Sequence, residues 1–247
     1  MIGDPHALSF KPTDDDFTIL VYNSIMKKLA NVHVIQPGYA IWNKKMETQR
    51  ADGTISLVIS NENIIVDTGL PKDKTTILDA LVQFGLAAKD IAYIICTHGD
   101  ADHISNNNLF PKAKLIVGFD IYDGDIARFF QNSLKIDSNV TVVSMTGHDD
   151  RSIGVYVTTD MGLIAITGDL FEYEGDYKEI SNWVAFSKEP KQHIRNRAKV
   201  WEMADYIVPG HGNIFKINKT IDLLDLETTQ LKKLLQKKIN VYGDIEL

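Results

Sequence analysis

The sequence predicts an α/β fold of the α+β type: a single two-layered sandwich of strands with helices outside, one domain over residues 1–247. Three observations predict it. Short β-branched and aromatic runs, separated by Gly, Pro or Asn, fill both halves of the chain. Segments of helical periodicity lie between and after them. Finally, one set of histidines and aspartates is shared between the halves, which requires the two layers to meet at a common edge.

In the first half, Phe17–Tyr22, Val32–Ile35, Tyr39–Trp42, Ile55–Ile59 and Ile64–Asp67 read as strands, with Asn61-Glu62-Asn63 as a hairpin turn between the last two. Thr75–Phe84 reads as a helix because Ile77, Leu78, Leu81 and Val82 recur at helical spacing. A strand at Ile91–Cys96 leads into a polar loop and a short helix from Asp102, a strand–loop–helix unit whose loop lies where sites are usually built. In the second half, Leu115–Gly118, Val140–Val143, Val155–Thr158, Leu163–Ile166 and Tyr206–Val208 read as strands and Gln192–Met203 as a helix. Ile221–Lys238 reads as an amphipathic helix whose leucine stripe packs inward, with a homodimer contact as the other use of that stripe.

The hydrophobic fraction of 44% and charged fraction of 24% are those of an ordinary globular chain. A net charge of −7 weighs against nucleic acid as the main partner, although not against a local basic patch. The single cysteine, Cys96, excludes an intrachain disulfide and reads as a small buried strand residue. The N-terminal residues lack a basic region followed by an apolar one, and no apolar run approaches the roughly 20 residues of a membrane span. The expectation is a cytoplasmic or nuclear protein without a membrane partner.

The most informative stretch is Thr97-His98-Gly99-Asp100-Ala101-Asp102-His103, directly after an apolar strand. Further loops carry His148 in Gly147-His148-Asp149-Asp150, Asp169 in Thr167-Gly168-Asp169 and His211 in Gly210-His211-Gly212. Imidazoles and carboxylates in this density suit a hydrolytic metal site, which needs a Lewis acid and an open coordination position. The residues suffice for two metals: His98, Asp100 and His148 for one, Asp102, His103 and His211 for the other, with Asp169 bridging. The spacing 98, 100, 102, 103 converges only on an irregular loop, and the flanking glycines free the backbone to approach a metal.

This pattern resembles the metallo-β-lactamase superfamily, whose motifs run Asp, His-x-His-x-Asp-His, His, Asp and His in that order. Asp67 in Val66-Asp67-Thr68-Gly69 matches the first motif and by the resemblance braces the ligand loop rather than binding metal. The resemblance implies an αββα sandwich with two mixed sheets. A narrower likeness, to a compact animal branch with a glyoxalase II-like core, rests on Arg50–Gly53, Asn107–Pro111, Gly168–Glu172, Ser187–Pro190 and Ala204–Gly212. That branch implies endoribonucleolytic cleavage at the 3′ end of histone pre-mRNA.

Asp100 stands where the superfamily normally has its second histidine. It either ligates in a harder, more anionic site that favours Fe or Mn, or leaves the first metal weakly held, or marks a pocket used for binding alone. The expected cofactors are two divalent ions, zinc first, with iron or manganese as the alternatives that Asp100 introduces. The expected reaction is hydrolysis by a metal-bound hydroxide, with Asp102 as the catalytic residue that orients it or passes its proton on. The substrate is an RNA phosphodiester by resemblance, or a small thioester or lactone by composition; a diiron redox or oxygen-binding protein is the reading of another class. Asp149 and Asp150 read as solvated turn residues. His193, with Lys191, Arg195, Arg197 and Lys199, reads as a solvated helix face, or else as a basic face that meets phosphate. Phe171, Tyr173, Tyr177 and Trp183 read as packing residues, with base stacking as the alternative.

Overall fold

A computed structural model describes residues 28–43 and 45–242. The strand expected at Phe17–Tyr22 lies outside the described residues. Two mixed sheets face each other. The first has the order β1 (Asn31–Gln36), β4 (Ile55–Ile59), β5 (Asn63–Val66), β6 (Tyr93–Cys96), β7 (Lys114–Val117), β8 (Asp120–Asp123), β9 (Ile126–Phe129). The second runs β10 (Ser133–Lys135), β11 (Val140–Ser144), β12 (Ile153–Thr159), β13 (Gly162–Gly168), β14 (Tyr206–Pro209), β15 (Phe215–Lys216). A separate hairpin pairs β2 (Tyr39–Asn43) with β3 (Thr48–Asp52).

Side-chain alternation sets the layers. Ile64, Val66 and Ile95 point between the sheets, where they meet Val142, Val155, Val157, Ile164 and Val208 of the second sheet. Their neighbours Ile65, Ile94 and Cys96 point outward and are covered by Ile77 and Leu81 of helix α1 (Lys74–Gln83). The outer face of the second sheet is covered through Val200, Trp201 and Ala204 at the end of helix α3 (Pro190–Met203) and by Leu223 at the start of helix α4 (Leu223–Tyr242). Helix α2 is a single turn, Ala101–Ile104. The result is the αββα sandwich with helices outside.

Adjacent strands β5 and β6 run parallel, joined through α1, and β13 and β14 run parallel, joined through α3. Two crossovers therefore place the carboxyl ends of four strands at one edge of the sandwich, the position where α/β sheets bind ligands.

One expectation is corrected here. His193 and Arg197 do not lie on a solvated face of α3, nor on a basic face open to phosphate; both are fully buried. Burial is possible because partners distant in sequence satisfy them: Leu170 O and Ser187 Oγ for His193, Asp176 and Glu227 for Arg197. Lys191 and Arg195 remain exposed. Phe171 and Trp183 are fully buried, in keeping with packing.

Candidate metal centre

The bracing Asp67 and the candidate ligands lie in segments that follow the ends of strands. Asp67 follows β5, His98 follows β6, His148 lies in the loop after β11, Asp169 follows β13 and His211 lies two residues beyond β14. The structure brings all seven residues of the expected set together. The ligating atoms of His98, Asp100 and His148 lie within 4.8 Å of one another, as do those of Asp102, His103 and His211. Asp169 faces both groups: its carboxylate is 3.5 Å from His98 Nε2, 3.9 Å from His148 Nε2, and 3.3 Å from the Nε2 atoms of His103 and His211. Asp100 sits at the rim, its side chain 64% exposed, 3.5 Å from His98 Nε2 and 3.7 Å from His148 Nε2.

The frame that holds these groups is built from main-chain bonds and one strained residue. Asp67 has φ +58°, a left-handed conformation uncommon outside glycine. From there its carboxylate accepts hydrogen bonds from Thr97 N (2.7 Å) and Thr97 Oγ1 (2.8 Å), and lies 2.8 Å from His103 Nδ1. Asp67 thus fixes the start of the ligand loop and aims Nε2 of His103 inward, the bracing role a ligand histidine requires. On the other side, the Asp52 carbonyl lies 3.1 Å from His211 Nδ1, while Thr54 bonds to the main chain of Gly210 and Gly212. Gly210 is required for space, since a Cβ there would collide with the Asp169 carboxylate.

Electrostatics inside the cluster run one way. Burial alone would raise Asp169, but His211, His103 and His98 drive it well below the carboxylate range. Burial alone would lower His103 and His211, but Asp169 outweighs it and carries His103 well above its usual value and His211 up to about 9. His148 is raised by Asp100 and Asp169 against its burial, and Asp100 is held far down by His148 and His98. The cluster therefore demands positive charge. Meanwhile His98 Nε2, His103 Nε2 and Asp169 Oδ1 are buried without a hydrogen-bond partner. Buried imidazole nitrogens left unpaired beside an unpaired carboxylate oxygen fit divalent cations, the group this donor set suits.

One acidic residue beside the cluster was not singled out by the sequence. Glu172 is buried, and its carboxylate groups with His148 and Asp169 within 4.8 Å. Burial and the neighbouring Asp169 push it up to about 8. The signal available was a lone acid between Phe171 and Tyr173, in a segment otherwise given to packing.

Comparison with known proteins agrees with this geometry. A family model described as the metallo-beta-lactamase superfamily matches residues 50–121. The chain is 33% identical over 205 residues to metallo-beta-lactamase domain-containing protein 1 of Xenopus laevis, covering 80% of this chain and 86% of the relative. Its human counterpart is 31% identical over 222 residues, 76% and 82% of the two chains. Among solved structures, an N-acyl homoserine lactone hydrolase with its product at a catalytic metal centre superposes with a TM-score of 0.55. That match has 14% identity over 76% of this chain and 94% of the other, which speaks to the fold alone. Taken with the five motifs at the strand ends, the chain belongs to the metallo-β-lactamase superfamily of metal-dependent hydrolases.

Proposed function

We propose that this chain hydrolyses a phosphodiester bond of RNA at a binuclear centre, with His98, Asp100 and His148 holding one ion and Asp102, His103 and His211 the other. The observation that carries the binuclear reading is Asp169, whose carboxylate lies within 3.9 Å of the Nε2 atoms of all four histidines and so serves both groups. Divalent ions bound there would supply Lewis acidity toward water and toward the scissile group. The choice of RNA rests on the likeness of the Gly168–Glu172 and Ala204–Gly212 runs to the animal branch.

The protein's own groups have distinct tasks. Asp102, whose side chain is 17% exposed with Oδ2 3.9 Å from His103 Nε2, orients the attacking water and accepts its proton. Asp67 and the Asp52 carbonyl keep His103 and His211 oriented, so the site is organised before substrate arrives. Zinc is the expected ion, and Asp100 opens the first group to iron or manganese.

A second reading is hydrolysis of a small thioester or lactone, and one exposed feature beside the site would serve either substrate. Trp42 of the β2–β3 hairpin and Phe186 are both exposed and meet edge to face with ring centroids 6.4 Å apart. Ser187 Oγ and Lys188 N, next to Phe186, bond to the carbonyls of Gly147 and His148, so this apolar pair borders the His148 loop. An acyl tail would be covered there; an RNA base would be stacked there.

Metal content of the purified protein and of Asp100→His, followed by assay on single-stranded RNA and on a thioester and lactone series, tests both readings. Two ions per chain and cleavage of RNA support the first. Two ions with turnover of acyl substrates alone selects the second. An iron content with redox activity and no hydrolysis sinks both. If Asp100 contributes no ligand, native protein holds about one ion and Asp100→His about two.

A further inference from the structure

We infer that Glu172 is an eighth ligand of the metal centre, bound to the ion that His148 and Asp169 hold, an inference that rests on the binuclear reading above. The chain is built to aim this carboxylate. The segment Asp169–Glu172 runs beside Gly210-His211, with Gly210 N donating to Phe171 O (2.9 Å) and His211 N to Glu172 O (2.8 Å). Glu172 N donates to Asp176 Oδ2 (2.8 Å), and Asp176 is locked in turn by Arg197 through bonds of 2.6 and 2.9 Å. Leu170 O accepts from Arg197 Nη1 (2.7 Å) and lies 3.0 Å from His193 Nε2. Both peptide groups of Glu172 are therefore fixed, and Leu170 and Phe171 are buried in the core around it.

The side chain this arrangement presents has no cation of its own. Among the described residues no lysine or arginine pairs with Glu172; its nearest charge partner is His211 Nε2 at 3.8 Å, a nitrogen already committed to Asp169 at 3.3 Å. A carboxylate taken out of water costs several kcal/mol unless a positive charge compensates it. Here Asp100, Asp102, Asp169 and Glu172 converge on four histidines, of which His98 and His103 have unpartnered Nε2 atoms facing the same space. Two divalent cations balance four carboxylates once the imidazoles that bind them have given up their protons. With Asp100 in place of a histidine and Glu172 added, the first ion meets two imidazoles and up to three carboxylates, a harder set than the motif alone implies.

The experiment is metal binding to protein stripped by chelator and titrated with zinc or cobalt against a competing chromophoric chelator, for the native sequence and for Glu172→Gln. The glutamine keeps the shape and removes the charge. Native protein taking up two ions, with Glu172→Gln losing the second or binding it at least tenfold more weakly, is the expected result. Two ions at native affinity in Glu172→Gln overturns the assignment and leaves the binuclear reading intact. A native protein that takes up no ion overturns both. If Glu172→Gln does not fold, a structure of the native protein soaked with zinc decides: a Glu172 oxygen bonded to metal supports the assignment, and a carboxylate turned away from both ions overturns it.

Discussion

Two buried polar clusters lie side by side in this fold and are built on opposite terms. Arg197, Asp176 and Glu227 are all fully buried, and the guanidinium meets Asp176 at 2.6 Å and Glu227 at 2.8 Å while lying 4.0 Å from the Phe171 ring centroid and 4.9 Å from that of Trp183. Burial pushes the Glu227 carboxyl up to about 7, against the pull of Arg197. One buried guanidinium bonds both carboxyls, so this cluster carries its own cation, with Glu227 Oε2 alone of the four carboxyl oxygens left without a hydrogen-bond partner. The candidate metal centre gathers Asp100, Asp102, Asp169 and Glu172 around four histidines, has no arginine or lysine among these residues, and leaves His98 Nε2, His103 Nε2 and Asp169 Oδ1 buried without hydrogen-bond partners. The first cluster, closed by its own cation, shapes the chain; the second, open to a cation, has the donor set that suits one. Asp176 joins them, since it holds Arg197 with its side chain and Glu172 N with the same carboxylate.

The sharpest way to separate the two clusters is to cut each at one residue. Asp102→Ala removes a partly exposed carboxylate from the open cluster, and hydrolysis is expected to fall by roughly a thousandfold or more, the combined scale of a lost ligand and a lost acid–base group. Unfolding in urea with metal removed should be unchanged. Retained turnover would mean that Asp102 is not the catalytic carboxylate. In the closed cluster, Arg197→Met strands Asp176 in the interior and should cost about 3–5 kcal/mol in a urea titration. The double variant Arg197→Met/Asp176→Asn should recover part of that loss. A single-variant loss below about 1 kcal/mol would show that the triad is not closed as described.

The two clusters also differ in how far they could be read from sequence. His98, Asp100, Asp102 and His103 fall within six consecutive residues, and His148, Asp169 and His211 each stand in a glycine-flanked loop after an apolar strand, so local pattern was enough to single them out. Arg197 lies 21 residues from Asp176 and 30 from Glu227, and nothing in the run of Lys191, Arg195, Arg197 and Lys199 marks one cation for burial. The same limit hid Glu172, whose role depends on a turn stitched to Gly210-His211. Among the strands, β4 to β6 and β11 to β14 were legible because their buried alternate positions carry Ile and Val. β3 (Thr-Gln-Arg-Ala-Asp), β8, β9 and β10 were not, because they are hairpin or edge strands with mostly exposed side chains and no apolar alternation to read.

The smallest effect concerns His193, which touches both clusters' supports without belonging to either. Its Nε2 lies 3.0 Å from Leu170 O, which can only accept, so the neutral ring carries its proton at Nε2, and its Nδ1 lies 3.0 Å from Ser187 Oγ. Burial first, and Arg197 second, depress it from 6.5 to about 3. Below pH 6.5 the unfolded chain takes up a proton on His193 that the folded chain refuses until about pH 3. Stability from this residue is therefore complete above 6.5 and lost as pH falls toward 3, at roughly 1.4 kcal/mol per pH unit. Urea titrations of metal-free protein at pH 7, 6, 5 and 4 should show a decline that His193→Gln shallows by about one proton. Carboxylates titrate in the same window, so the difference between the two proteins, not either slope, is the readout. Parallel slopes would mean that His193 protonates in the folded state as readily as in the unfolded one.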